Sequence, residues 1–342
     1  MANTNRPEDF LDRVAKGDFK PHTALSNMAL SYYQDDRNYF AKSIFPTCKV
    51  PLSSDSYYIF DKEDLLRDNW QRKPEYGSVV PTVLSEHTDD YHCKVDQMIM
   101  GISKIRQTDL MRRGLPATAN PRIQRAKAIA TQANIHQDAT FAKRFMKQGA
   151  WTNQKQGVDT TPGAGQFYKF SNGNSDPIAF IDERKTAIHQ ATGRTPNRLV
   201  LGVNVFNALK LHAGILERVK YGGSTANPAS VTENVLAQLF GVQELHVLKS
   251  IMNKGEFGAD ANMQYIGDPN AMLLAYATDA PSTEEPSAGY IFTWDMLGDG
   301  SILPIQVYDG PQASHSEFVE GLMATDMRKT ADDLAEFYYD VV

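Results

Sequence analysis

The chain has 342 residues, of which 42% are hydrophobic and 22% charged, with a formal net charge of -6. This composition supports a sizeable core and excludes global disorder, and the net negative charge excludes a nucleic-acid binder that works through whole-molecule electrostatics. No apolar run approaches the ~20 residues of a membrane helix, the opening MANTNRPEDFLDR lacks the apolar centre of a secretory signal, and two cysteines, Cys48 and Cys93, do not make a disulfide framework. A reducing cytoplasm and no membrane partner are expected.

Residues 1–50 carry scattered aromatics (Tyr32, Tyr33, Tyr39, Phe40, Phe45) among Pro7, Pro21 and Pro46, with no sustained period. They predict an N-terminal arm with one short helix from Thr23 to Tyr33, an arm that needs another surface to lie on. Residues 51–107 predict an extended excursion. Ser56 to Phe60 is a β-prone run, Val79, Val80, Val83 and Leu84 follow Gly77, and Tyr91, Cys93, Val95, Gln97 and Ile99 fall on alternate positions, as in one half-exposed strand. Between these runs lies a polar, charged stretch from Asp61 to Tyr76, whose Arg67, Arg72 and Lys73 are candidate interface residues. A long two-stranded excursion is poorly stable alone and makes sense lying across a neighbour.

Next comes the clearest helix. Asn120 can cap it, Pro121 fits its first position, Gly149 can end it, and Ile123, Ala126, Ala130, Ala133, Phe141 and Phe145 fall near one face. At ~1.5 Å per residue it spans about 40 Å from Pro121 to Gln148. Its other faces carry Arg122, Arg125, Lys127, Lys143, Arg144 and Lys147. Residues 151–175 predict a loop rich in Gly, Thr and Asn, closing a unit of residues 108–175.

Residues 176–300 predict alternating helix and strand. Asp176, Pro177 and Gly193 bound a helix; Leu199 to Leu201 is a buried strand; Asn204 can cap a helix through Leu211; Ser230 and Glu233 form a capping box closed by Gly241. Strands follow at Leu245, Met272 and Tyr290, and residues 301–342 predict further strands, the longest from Glu317 to Lys329. The fold class is therefore α+β.

Charge is uneven. From Lys104 to Lys155 eleven basic residues face two acids, and from Glu256 to Val342 sixteen acids face two bases. Either the basic region meets a polyanion, or the two regions meet within or between subunits.

Signatures of chemistry are weak. There is no phosphate-binding loop ending in Gly-Lys-Ser/Thr and no Gly-x-Ser-x-Gly elbow, and Gly298-Asp299-Gly300 reads as a turn. His87, Asp89, Asp90, His92 and Cys93 suit a transition metal by type, but their spacing matches no closed site, and adjacent strand residues point to opposite faces. Asp332, Asp333 and Glu336 read as a solvated acidic turn. No catalytic residue, metal or cofactor is expected.

The stretch GRTPNRLVLGVNVFNALKLHAGILERVKYG, followed by VTENVLAQLFGVQELHVLKSI, resembles the tailed-phage major capsid proteins of the Hong Kong ninety-seven type. Leu236 to Val242 matches closely, and Pro286 to Tyr290 also resembles the family. The resemblance implies an N-terminal arm, an extended hairpin loop, a peripheral domain with a long spine helix, and an axial domain with C-terminal strands returning to the peripheral one. It also implies a structural subunit that forms hexamers and pentamers of an icosahedral shell around double-stranded DNA, assembled in the host cytoplasm and found in the virion. No long helical scaffolding segment is seen at the front, so a separate scaffolding protein is expected, together with a portal. A nanocompartment shell of the encapsulin kind is the alternative within this fold, and a soluble α/β enzyme the alternative outside it.

Overall fold

The computed structural model describes residues 38–342 except 61, 74, 84, 106, 109–120, 223–230, 257, 259, 261, 283–284 and 298–299. The expected arm helix at Thr23 to Tyr33, the Asn120 cap, Ser230 and most of the Gly298 turn fall outside the described residues.

The elements run α1 (Ala41–Ile44), β1 (Thr47–Val50), β2 (Ser54–Phe60), α2 (Lys62–Leu65), β3 (Glu86–His92), β4 (Lys94–Ser103) and α3 (Pro121–Phe145). Then come β5 (Gln154–Val158), β6 (Gln166–Tyr168), α4 (Pro177–Thr192), β7 (Arg198–Leu201), α5 (Val203–Leu211), α6 (Ala213–Gly222), α7 (Glu233–Leu239) and β8 (Glu244–Val247). The last are β9 (Ile251–Asn253), β10 (Met263–Tyr265), β11 (Met272–Ala275), β12 (Gly289–Trp294), β13 (Ile305–Asp309), β14 (Ser316–Lys329) and β15 (Ala335–Tyr339).

The 14-residue β14 is the axis of the first sheet. β4 lies along one edge of it, and β13 and β12 share the other, with β1 parallel to β12 beyond. The second sheet has the order β6-β5-β15-β11-β7-β8, with β15 in its interior. A division of the chain at residue 300 therefore does not follow the sheets: β12 belongs to the first, and β15 to the second.

Helix α3 spans 25 residues, about 37 Å at ~1.5 Å per residue. Its first half packs Ala126, Ile129, Ala130 and Ala133 against Val319 and Met323 of β14 and Ile305 of β13. Gly321 allows the close approach, since a Cβ there would lie 2.4 Å from Ile129 Cγ2. The second half enters a cluster of Phe40, Phe45, Phe141, Phe145 and Trp151, to which Ile291 and Met327 of the first sheet and Leu273 and Phe337 of the second also belong. One apolar cluster thus joins both sheets. Gly149, at φ 81°, turns the chain away after the helix.

Helix α4 has the expected bounds: the Asp176 carboxylate accepts from the Ile178 and Ala179 amides, Pro177 opens it, and Gly193 ends it at φ 73°. Four expectations need correction. Helix α5 starts at Val203 behind Gly202 and not behind Asn204, because the chain at 202 presses on Pro269, where a Cβ would lie 2.1 Å from a carbonyl oxygen. The cap of α7 is Thr232, whose hydroxyl accepts from the Val235 amide, while Glu233 pairs with Lys249. The loop at 151–175 contains the strands β5 and β6. The single strand read from Tyr91 to Ile99 is two strands that part at Cys93.

Candidate assembly surface

Strands β2 and β3 form an antiparallel hairpin, from Ser54 opposite His92 to Phe60 opposite Glu86. Its base is joined to the first sheet by aromatic packing. Tyr91 stacks on Phe292 at 4.8 Å between ring centroids, and Tyr57 lies 5.6 Å from the same ring. Burial raises the Tyr57 phenol well above its usual range, and its hydroxyl donates to Asp89. Ser56 donates to Asp90, and the Ser54 hydroxyl lies 2.7 Å from His92 Nδ1. The residues considered as metal ligands are thus cross-strand partners along the hairpin. Cys93 is buried beneath it with its thiol pushed up to about 12 by desolvation. Among the described residues no group of three or more His, Cys, Asp or Glu is placed to hold a metal ion.

Asp326 on β14 anchors the hairpin base. One of its oxygens accepts from the His92 amide at 3.1 Å and from Arg328 Nε at 2.7 Å, and the other from Arg144 at 3.1 Å. A single buried carboxylate therefore ties hairpin, long helix and central strand together. Nothing local in the sequence marks Asp326 for this, since Arg144 stands 182 positions and His92 234 positions away.

Beyond Phe60 the hairpin opens into a tip. Asp64 accepts from the Ser85 amide at 2.9 Å, which closes the tip and holds the carboxyl below its usual range. Arg67, Arg72 and Lys73 are all exposed. Sequence reasoning missed the apolar residues around them: Leu66 is 65% exposed, Trp70 96%, Tyr76 96%, Val80 73% and Val83 81%. Monomeric proteins rarely leave such residues together in water. The signal that could have found them is two aromatics inside a charged stretch without periodicity.

The six basic residues do not form one face: five lie on α3, and Lys147 lies beyond its end at Phe145. At about 100° per residue, Arg122, Arg125, Lys143 and Arg144 fall within one arc of about 100°, and Lys127 lies about 160° from Arg125. Arg122 is 2.7 Å from the buried Glu317, and Arg144 reaches Asp326. Arg125, Lys127, Lys143 and Lys147 are exposed. Acids of β14 therefore engage Arg122 and Arg144. Asp332 accepts from Lys329 and from the Thr152 amide, and Glu336 is buried on β15 near Arg184, so this group is no solvated turn. No described helix is long and apolar enough to cross a membrane.

A hairpin fixed at its base, bare at its tip and mounted on a sheet spanned by a long helix is the layout of a structural shell subunit. The comparisons find similarity to phage capsid proteins. The chain is 25% identical over 281 residues to the major capsid protein of Burkholderia phage BcepMu, covering 78% of this chain and 81% of that one. Its fold matches a phage-related protein from Bordetella bronchiseptica RB50 at a TM-score of 0.70, with 20% identity, over 94% of this chain and 97% of that chain. A virus-like particle from Pyrococcus furiosus matches at 0.51, with 11% identity, over 93% and 98%. No family model matches. The resemblance to tailed-phage major capsid proteins is borne out: the fold is the phage capsid fold, and the chain is a structural capsid protein that assembles with itself, not an enzyme.

Proposed function

We propose that the chain assembles as hexamers and pentamers into the icosahedral shell enclosing the double-stranded DNA of a tailed phage. The observation that carries this reading is the excursion between Ser54 and His92, whose exposed Trp70, Tyr76, Val80 and Val83 require cover that one copy does not supply. Similarity to the BcepMu major capsid protein supports it. In this reading the hairpin lies across a neighbouring copy, α3 is the spine of a peripheral domain, and residues 176–300 supply most of an axial domain, while residues 40–50, expected to belong to the arm, are built into the core through Phe40, Phe45 and β1. Arg67, Arg72 and Lys73 set the register of the hairpin on its neighbour. Arg125, Lys143 and Lys147 face the interior, where contact with DNA is to phosphate, sequence-blind and salt-sensitive, while Lys127 lies on the far side of the helix. A separate scaffolding protein and a portal complete the assembly, which takes place in the host cytoplasm.

The test is expression together with the neighbouring genes, followed by negative-stain microscopy. Closed shells are expected, and deletion of residues 65–74 is expected to abolish them while leaving the melting transition in place. A monodisperse monomer whose excursion resists protease would overturn the reading. A nanocompartment shell is distinguished by its neighbours, a cargo enzyme instead of terminase, portal and protease genes.

A further inference from the structure

Strand β4 is an open edge. Among the described residues only β14 pairs with it, so the opposite side of a ten-residue strand has no strand partner. Proteins blunt such edges with charge, proline, bulges or brevity. The run from Gln97 to Ser103, QMIMGIS, has neither charge nor proline, and Val95 and Ile99 are 36% and 47% exposed. The same chain carries a matching element. The returning limb of the excursion, GSVVPTVLS from Gly77 to Ser85, is uncharged and β-prone, and it exposes Val79, Val80 and Val83 at 36%, 73% and 81%. No described strand includes it.

The two cannot meet within one copy. Cys93 alone separates β3 from β4, and one residue is too short for a turn that would lay them side by side. Strand β3 instead carries the limb about 23 Å from Cys93, at ~3.3 Å per residue over seven residues. We propose that the limb around Val79–Val83 of one copy adds as a strand to the open edge of β4 in a neighbouring copy, an inference that rests on the shell reading above. The two runs are similar in length and both uncharged, so no like charges oppose one another in the added pair. Main-chain bonds would supply affinity, and alternate side chains register. Pro81 has no amide hydrogen and suits the outward side of an added edge strand. Donor limb and acceptor edge differ, so the contact is head-to-tail and closes into a ring where the rotation permits.

The test is disulfide trapping in shells of the full chain. A Val80→Cys chain and an Ile99→Cys chain, differently tagged, are co-expressed with the neighbouring genes and oxidised; Val95→Cys and Gly101→Cys replace Ile99→Cys to cover the register. Expected is a covalent heterodimer, with the link between positions 80 and 95, 99 or 101 read by mass spectrometry, and none between unassembled subunits. Ile99→Lys, at an exposed position, is expected to keep the wild-type melting temperature and lose shells. Shells without any of these links, or Ile99→Lys shells at wild-type yield, overturn the pairing and leave the shell reading standing. A wild-type chain that stays monomeric sinks both.

Discussion

Asp138 sits in the middle of α3, 1% exposed, and its carboxylate accepts from the Phe40 and Ala41 amides and from the Ser250 hydroxyl. It holds the segment entering the core against the long helix, and an Asp138→Ala chain leaves three buried donors unmatched. A loss of about 3 kcal/mol is expected in urea denaturation. Burial raises this carboxyl to about 6, and burial lowers the nearby Lys42 ammonium to about 6 despite the attraction of Asp138. The signs are opposite. The Asp138 contribution is full below the ordinary carboxylate range and is lost as pH rises through 6; that of Lys42 is full above 10.5 and is lost as pH falls through 6. The pair gives a stability minimum near pH 6, and Lys42→Met is expected to flatten the rise in melting temperature between pH 6 and 9. The basic residues of α3 and Lys147 just beyond it divide in the same measurement. Arg122→Glu and Arg144→Glu confront the buried Glu317 and Asp326 and are expected to cost about 1–3 kcal/mol, the arginines being half in water. Arg125→Glu, Lys143→Glu and Lys147→Glu are expected to stay within about 0.5 kcal/mol.

The contact of α3 with β14 leaves no room at Gly321. Gly321→Ala is expected to cost about 1–3 kcal/mol by thermal denaturation, and Ile129→Ala in the same chain to recover part of it, because the clash is with Ile129 Cγ2 at 2.4 Å. Elements with local signals are legible in the sequence itself. Asp176, Pro177 and Gly193 mark both ends of α4, and apolar spacing marks α3. The strand expected from Glu317 to Lys329 differs from β14 by one residue, at its start. What depends on distant partners is not legible. The alternation through Cys93 continues unbroken while the pairing strand changes from β2 to β14. Strands β5 and β6 hide in a Gly-rich loop because Gly157 admits the Asp340 carbonyl, which would lie 2.1 Å from a Cβ. For the assembly surface, charge at Arg67, Arg72 and Lys73 is visible in the sequence, but the apolar tip requires knowing that Trp70 stands almost wholly in water.

At the scale of the molecule, β14 is the axis of the first sheet and β15 lies inside the second, so both sheets are organised by residues 316–339. A chain shortened at residue 315 is expected to lose the cooperative melting transition of the whole subunit, and near-ultraviolet circular dichroism would show it by the loss of fixed tyrosine and tryptophan signals. A retained transition would show that the sheets stand without these strands. The same arrangement acts as a clock. Synthesis runs from the first residue to the last, at about 5–20 residues per second, and strands made early, such as β4 and β7, wait for partners made late. Subunits still attached to ribosomes, crowded on one message and already displaying the excursion, have no finished sheet on which a neighbour could dock. On this arrangement a neighbour is expected to find no finished sheet to dock on until translation has passed residue 339.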